Sequence, residues 1–415
     1  MAAPTVMEHP APELLAPAPE TFARLAALEA AHPTVITCYV RLDIQDRVAH
    51  RYRIAARDAL RPMHDLPSGH TDREAVHRDL ERLAAFLANS GHLPHSPGMA
   101  LFACEALDLF AMMPLPRVAR TRAVLDVRPR VAEASAVAPE FAPILLAALD
   151  RTHARFFRVT VDDVEELPCL TMPAHRGGKF HSDRGDAPGW GEHDYHNRIR
   201  EERHRHAAAV ADRLSELLAQ DTWLGIVLSG PARATSDQTR FLPGVLQQRV
   251  LHSAHINPTA VSEQKIREVG LAARDAARMH RTSARVEEYE TALGTGWAVS
   301  GARATLRALA NGQARLLLVR AGLVGNGFRC AASGRLTMAA TDCRGEGEPV
   351  PVRDIVDEAI EDAMRQRVEV VVVDDLSVGG KLDGLGAVLR FRSPARAKVA
   401  PAAASRPRSR ARARR

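Results

Sequence analysis

The sequence predicts an α/β protein in three parts: a mixed α/β N-terminal domain, a β-rich middle domain with an extended loop and a long helix, and an α/β C-terminal domain. Three observations carry this. The 415 residues exceed what one ordinary core organises, so two or three domains are expected. Hydrophobic residues make up 46% and charged residues 26%, a globular balance. Short apolar runs bounded by Gly and Pro alternate with amphipathic stretches, as strands and helices do when they share layers.

Residues 1–20 are rich in Pro and Ala and read as a disordered leader, without the basic and apolar regions of a signal peptide. An N-terminal domain is expected over 21–130. It opens with a short helix (22–30) and the strand-forming run Val35-Ile36-Thr37-Cys38-Tyr39-Val40. A helix follows from Asp72 to Ser90, because Val76, Leu80, Leu83, Phe86 and Leu87 fall on one face. Strands are expected at 99–103, 107–112 and 123–127. Arg41 and Arg47 read as solvated surface arginines. An Ala/Pro hinge over 129–139 leads to the middle domain, 140–221, with strands at 144–149 and 155–161 and a short one near Leu167.

The middle domain then enters a polar loop and a charged helix. Pro173 and Pro188 and five glycines (177, 178, 185, 189 and 191) punctuate the loop, and His175, Arg176, Lys179, His181 and Arg184 make it cationic. Such a segment buries little apolar surface and reads either as a functional loop or as a mobile surface loop with incidental Arg and Lys. Paired Gly177 and Gly178 let backbone approach a ligand closely, and Arg176 and Lys179 supply phosphate contacts. On the helix, Ile199, Ala207, Val210, Leu214 and Leu217 form an apolar stripe, with Asp194 the expected N-cap.

A C-terminal domain is expected over 222–392. Its elements are a strand at 223–230 closed by Gly230-Pro231, a helical region at 258–293, a helix ending at Ala310 and a strand at 315–319. A helix at 352–365, a strand at 369–373 and the run 384–391 complete it. The alternation predicts a largely parallel sheet. Residues 393–415 are a basic tail. The last twenty residues carry eight Lys or Arg and no acid. Setting those aside leaves 48 basic against 50 acidic residues, so the body is near neutral.

Several chemistries are excluded. Five scattered cysteines without a C-x-x-C pair favour buried thiols in a reducing, cytoplasmic setting; Cys330 and Cys343 supply only two ligands and read as free thiols too. No apolar run is long enough to span a membrane. The P-loop pattern is absent, since Phe180 stands where Ser or Thr is needed, and so is a nucleophile elbow. His193 and His196 share a face but lack further ligands, and with His181, His204 and His206 read as solvated; no metal or cofactor is expected. Asn311-Gly312-Gln313 reads as a helix C-cap, and Gly379-Gly380-Lys381 as a turn.

Residues 159–218, with HRGGK followed by NRIREERHRHAAAVA, resemble the central domain of archaeal and eukaryotic class-1 peptide-chain release factors. That domain carries an Arg-Gly-Gly-Gln loop and an Arg/Glu helix. LGIVLSGPA, AVSGARATLRALANGQARLLLV and LDGLGAVLRF are similar to that family's C-terminal signatures, so the resemblance covers residues 140–392 in order. The N-terminal part resembles the bacterial branch, release-factor-like proteins related to Pelota and to Vms1-type peptidyl-tRNA hydrolases. The implied architecture is three-domain and release-factor-like.

The resemblance implies a ribosomal A-site binder whose loop reaches toward the peptidyl-transferase centre. Its RNA-binding residues would be His175, Arg176, Gly177, Gly178, Lys179, His181 and Arg184, and Gly177 and Gly178 would be catalytic if the protein were hydrolytic. Lys179 stands in the Gln position, is cationic and has no carbonyl acceptor, so it would hold phosphate well and orient water poorly. A non-catalytic ribosome-associated factor for hibernation, protection or rescue is therefore expected. The alternatives are a peptidyl-tRNA ester hydrolase and a stand-alone RNA-binding protein using the tail. Expected partners are the ribosome through its RNA, with tRNA and an elongation-factor GTPase left open, and neither membrane nor DNA.

Overall fold

The computed structural model describes residues 11–65, 72–172, 190–258, 261–373 and 382–391, without the side chains of 190–196, 198 and 233. Strand β1 (Glu13–Leu14), helix α1 (Pro19–Ala27), strand β2 (Val35–Arg41), and helices α2 (Ile44–Val48), α3 (Arg51–His64) and α4 (Arg73–Ala88) come first. Strands β3 (Gly98–Cys104), β4 (Leu109–Leu115) and β5 (Arg122–Asp126) complete a sheet of order β1-β4-β3-β2-β5. It is antiparallel except for β1 beside β4. The strand-forming run at 35–40 lacks polar alternation because both faces are covered. Ile36, Cys38 and Val40 pack against α3 and α4, whereas Val35 and Tyr39 pack with Leu25 of α1 and Val137. All five apolar residues expected on one face of α4 are buried.

Two expectations fail here. The leader does not end at residue 20: β1 pairs with β4, and Leu15, only 2% exposed, enters the core. Residues 1–10 lie outside the described residues. Arg47 is not a solvated arginine. Its guanidinium donates to the carbonyls of Leu42 (2.9 Å), Pro94 (2.5 Å) and Ser96 (2.6 Å), pinning backbone that follows β2 to backbone that precedes β3. Arg41 pairs with Asp43 and Asp46.

The expected hinge is instead a packed junction. Helix α5 (Ala132–Ala136) and the turn at 138–140 lie within it, with Ala132 and Ala134 fully buried. The Tyr39 hydroxyl donates to the Arg130 carbonyl at 2.6 Å.

The second sheet contains β6 (Ile144–Leu149), β7 (His153–Val159), β8 (Val164–Thr171), β9 (Gly225–Ser229) and β10 (Val250–Ala254), in the order β10-β9-β6-β7-β8. Between them run α6 (Trp190–Gln220), α7 (Ala232–Phe241) and α8 (Gly244–Gln247). Strands β6, β9 and β10 are mutually parallel, and β7 and β8 are antiparallel additions. The break expected between residues 221 and 222 thus falls inside one sheet. Helical crossovers return β9 beside β6 and β10 beside β9, pairings that spacing alone does not reveal.

Helix α9 (Glu263–Gly294) starts at Ser262, whose side chain accepts from the Lys265 amide at 3.3 Å. Its first half covers the second sheet through Ile266, Val269 and Ala273, and its second half packs Val286 and Tyr289 on a third sheet. The remaining elements are β11 (Ala298–Ser300), α10 (Ala302–Ala310), β12 (Ala314–Arg320), β13 (Gly327–Cys330), β14 (Leu336–Thr337), β15 (Pro349–Val352), α11 (Ile355–Arg365), β16 (Glu369–Val373) and β17 (Leu385–Leu389). The third sheet runs β11-β17-β12-β16, and β14-β13-β15 form a small antiparallel one. Only β12 and β16 are parallel in the third sheet, because the helical crossover through α11 joins them while β17 inserts antiparallel. The expectation of a largely parallel sheet is corrected accordingly.

Cys330 and Cys343 are not free thiols. They form a disulfide with Cα atoms 5.3 Å apart, brought together by the return of the chain from β13 through the turn at 340–343. Cys38 and Cys104 are buried thiols and Cys169 is exposed. Among the described residues, no helix is long and apolar enough to cross a membrane.

An ionic junction ties the first sheet to α11. Arg122 meets Glu133 (3.0 Å) and Asp357 (2.9 Å), and Arg130 meets Glu358 (2.6 Å) and Glu361 (3.2 Å). Burial alone would raise the Glu358 carboxyl, but Arg130 and Arg329 outweigh it and hold it below its ordinary 4.5. A carboxylate depressed by folding contributes stability that is present above its unfolded value and lost as pH falls through its folded value. Glu358→Gln is expected to melt below the parent protein at neutral pH, with the gap closing on acidification. Thermal unfolding across the acid range checks this, and a gap independent of pH would contradict it.

Candidate functional site

The loop singled out by its charge leaves the end of β8 and returns as α6. Its residues His175, Arg176, Gly177, Gly178, Lys179, His181 and Arg184 lie outside the described residues. Strand β8 is an edge strand whose residues are mostly exposed. At the last described residue before the loop, the Met172 amide donates to the Thr152 carbonyl at 2.9 Å. The paired base closes against the turn between β6 and β7.

Helix α6 has 31 residues, about 46 Å of axial length at 1.5 Å per residue. Its second half is anchored: Val210, Leu214 and Leu217 pack against Leu145, Phe156 and Leu228. Its described N-terminal residues contribute nothing buried until His206; Asn197, Arg200, Glu201, His204 and Arg205 are exposed, and Ile199 is half-buried. The apolar stripe therefore holds only over its C-terminal part. Because the helix begins at Trp190, Asp194 sits inside it and is not its N-cap. One end of the loop therefore connects to the sheet edge and the other to a stretch of helix outside the core.

His206 departs from the expectation of solvated histidines. It is 6% exposed, and neither ring nitrogen has a well-formed hydrogen bond. Burial lowers its pKa, while the nearby backbone of Asp150 and His153 opposes that. His204 stacks edge-on against Phe241, centroids 4.8 Å apart. No group of three His, Cys, Asp or Glu that could hold a metal occurs among the described residues, and the side chains of His181, His193 and His196 lie outside them.

The remaining signatures are structural. Gly230, at φ +147°, turns the chain from β9 into α7, and a Cβ there would meet the Leu149 carbonyl oxygen at 2.3 Å. Gly230→Ala is expected to destabilise by about 1–3 kcal/mol from backbone strain alone. A denaturation midpoint within error of the parent would refute that. Asn311-Gly312 is the C-cap anticipated: the Gly312 amide (φ +64°) donates to Leu309 at 2.9 Å and that of Gln313 to Ala308 at 2.9 Å. Gly379-Gly380-Lys381 lies outside the described residues.

Residues 129–286 match the model of a known family, bacterial archaeo-eukaryotic release factor family 10. Over that stretch the chain is similar to release-factor-like proteins. The matched stretch runs from the packed junction through the whole second sheet, the loop and most of α9. Solved structures give weaker likenesses. An archaeal translation termination factor is 18% identical, with 90% of this chain and 96% of that one covered and a TM-score of 0.25. Pelota of Archaeoglobus fulgidus is 13% identical over 71% and 79% of the two chains, TM-score 0.38. Dom34 of S. cerevisiae, described as a translation termination-like factor interacting with Hbs1, is 10% identical over 72% and 80%, TM-score 0.38. No curated protein matches the chain.

Proposed function

We propose that this release-factor-like chain is a ribosome-associated factor that enters the A site and directs its Gly-Gly-Lys loop toward the peptidyl-transferase centre. It acts by occupying the site, in hibernation, protection or rescue, and not by hydrolysis. The observation that carries this reading is Lys179, which stands where the release-factor loop has glutamine. Glutamine offers a carbonyl acceptor that can orient a water; an ammonium offers donors and charge only. A positive loop is suited to RNA phosphate. The matched family supports the reading, and so does the way α6 leaves its loop end outside the core.

Sedimentation of the full chain with 70S particles at graded salt tests it. The expected result is co-sedimentation at low salt that weakens steeply as salt rises. Recovery entirely in the ribosome-free fraction at low salt would defeat the proposal. In parallel, peptidyl-tRNA ester in stalled complexes is expected to stay at the uncatalysed rate. Hydrolysis above background that vanishes in Gly178→Ala would replace occupancy with a hydrolase.

A further inference from the structure

A cleft of about 220 Å³ opens where four parts of the chain meet: the β4–β5 connection at Arg117, the segment 136–140, the middle of α9 and the edge strand β16. Arg117, Arg278, Arg281 and Arg285 line it, opposed by Glu140 and Glu369. Three of these arginines fall on a single face of α9, which also carries Arg267 and Arg274: the five positions are separated by 7, 4, 3 and 4 residues. A helix face turned toward other parts of a chain ordinarily carries apolar residues. Here it carries guanidinium groups.

The carboxylates account for only part of this charge. Arg117 reaches Glu140 at 3.3 Å, Arg285 reaches Glu369 and Glu288 at 2.9 Å, and Arg278 lies 3.6 Å from Asp275. Arg274 and Arg281 have no carboxylate within ion-pair distance among the described residues. Arg274, 3% exposed, donates instead to the neutral carbonyls of Glu140, Ala142 (2.9 Å) and Val159 (3.4 Å). The Nε of Arg274 and that of Arg281 are buried with no acceptor. Burial pushes the Arg274 guanidinium down to about 10, and Arg281 adds to that by repulsion, although Glu140 and Asp275 oppose it. Crowded, half-buried cations are costly unless an anion compensates them.

We propose that this cleft is a binding site for a phosphate-bearing anion, held by Arg281 together with Arg278 and Arg117. Guanidinium groups that line one cleft, from α9 and from the strand-connecting segment at Arg117, suit a group with several acceptor oxygens and more than one negative charge. A carboxylate offers only two oxygens and one charge, and Arg281 is the cleft arginine for which no ion pair is formed among the described residues. The phosphate can belong to a small soluble phosphate or to an RNA backbone. Since the cleft walls come from four parts of the chain, an occupant also fastens them together. Binding in this cleft requires neither the loop at 175–184 nor a ribosome.

The test uses the full chain. Thermal unfolding is followed while sodium phosphate replaces sodium chloride at constant ionic strength, and binding of a short single-stranded RNA is measured separately. If free phosphate is the ligand, phosphate raises the melting temperature saturably. Arg281→Gln then weakens the apparent phosphate affinity about tenfold or more, the effect of losing one charge-assisted contact. Glu369→Gln removes an opposing carboxylate and tightens it, which keeps the test decisive if Arg281→Gln folds poorly. If the phosphate is that of RNA, the same two substitutions shift RNA affinity in those directions while inorganic phosphate has no effect. Insensitivity of both phosphate response and RNA affinity to both substitutions would overturn the proposal.

Discussion

Arg122→Ala is expected to destabilise the folded chain by about 3–5 kcal/mol, the range for breaking a buried ion pair from one side. The Arg122 side chain is 14% exposed and lies among Glu133, Asp354 and Asp357, with its guanidinium 5.1 Å from the centroid of the Tyr39 ring. Burial works against its charge, but Asp357 and Glu133 outweigh that and raise its pKa further. Alanine would leave three carboxylates together with no counter-charge and would remove the stack on Tyr39. Chemical denaturation reads the loss. Adding Asp357→Asn to Arg122→Ala is expected to recover part of it, because the two residues share one interaction. A loss within about 0.5 kcal/mol would mean that the junction behaves as an ordinary solvated surface pair.

Replacing Arg176, Lys179 and Arg184 together by alanine is expected to remove most of the salt-dependent affinity for ribosomes. Each phosphate contact contributes about 0.7–0.9 to the slope of log affinity against log salt, so three lost contacts should flatten it by about 2 to 3. Measured binding at several salt concentrations gives that slope, and thermal unfolding serves as the control for folding. Deleting residues 396–415 should weaken binding without abolishing it. A triple variant with an unchanged slope, beside a tail deletion that abolishes binding, would move recognition from the loop to the tail.

Local patterning was a good guide wherever the code for an element is itself local. The spacing of Val76, Leu80, Leu83, Phe86 and Leu87 placed α4, and Gly312 marked the end of α10. The apolar run at 35–40 was recognisable as β2. Helix α3 escaped notice, because the polar and basic residues of Arg51–His64 surround the four that are buried, Tyr52, Ala56, Leu60 and Met63. Arg274 and its neighbours on α9 escaped for the opposite reason: arginines on a long helix look like solvated charge until the strands and segments facing them are known.

Composition, charge placement and ordered motifs were sufficient to name an α/β chain with a basic loop and a release-factor-like middle, since those properties reside in single stretches of residues. Pairings between distant stretches were of another kind. That β9 and β10 complete the sheet begun by β6, that Cys330 bonds to Cys343, and that Arg122 reaches Asp357 across 235 residues all depend on how the chain returns on itself. Desolvation decides such contacts. A carboxylate or a guanidinium has its pKa and its partner set by what covers it, and the covering residues come from elsewhere in the chain.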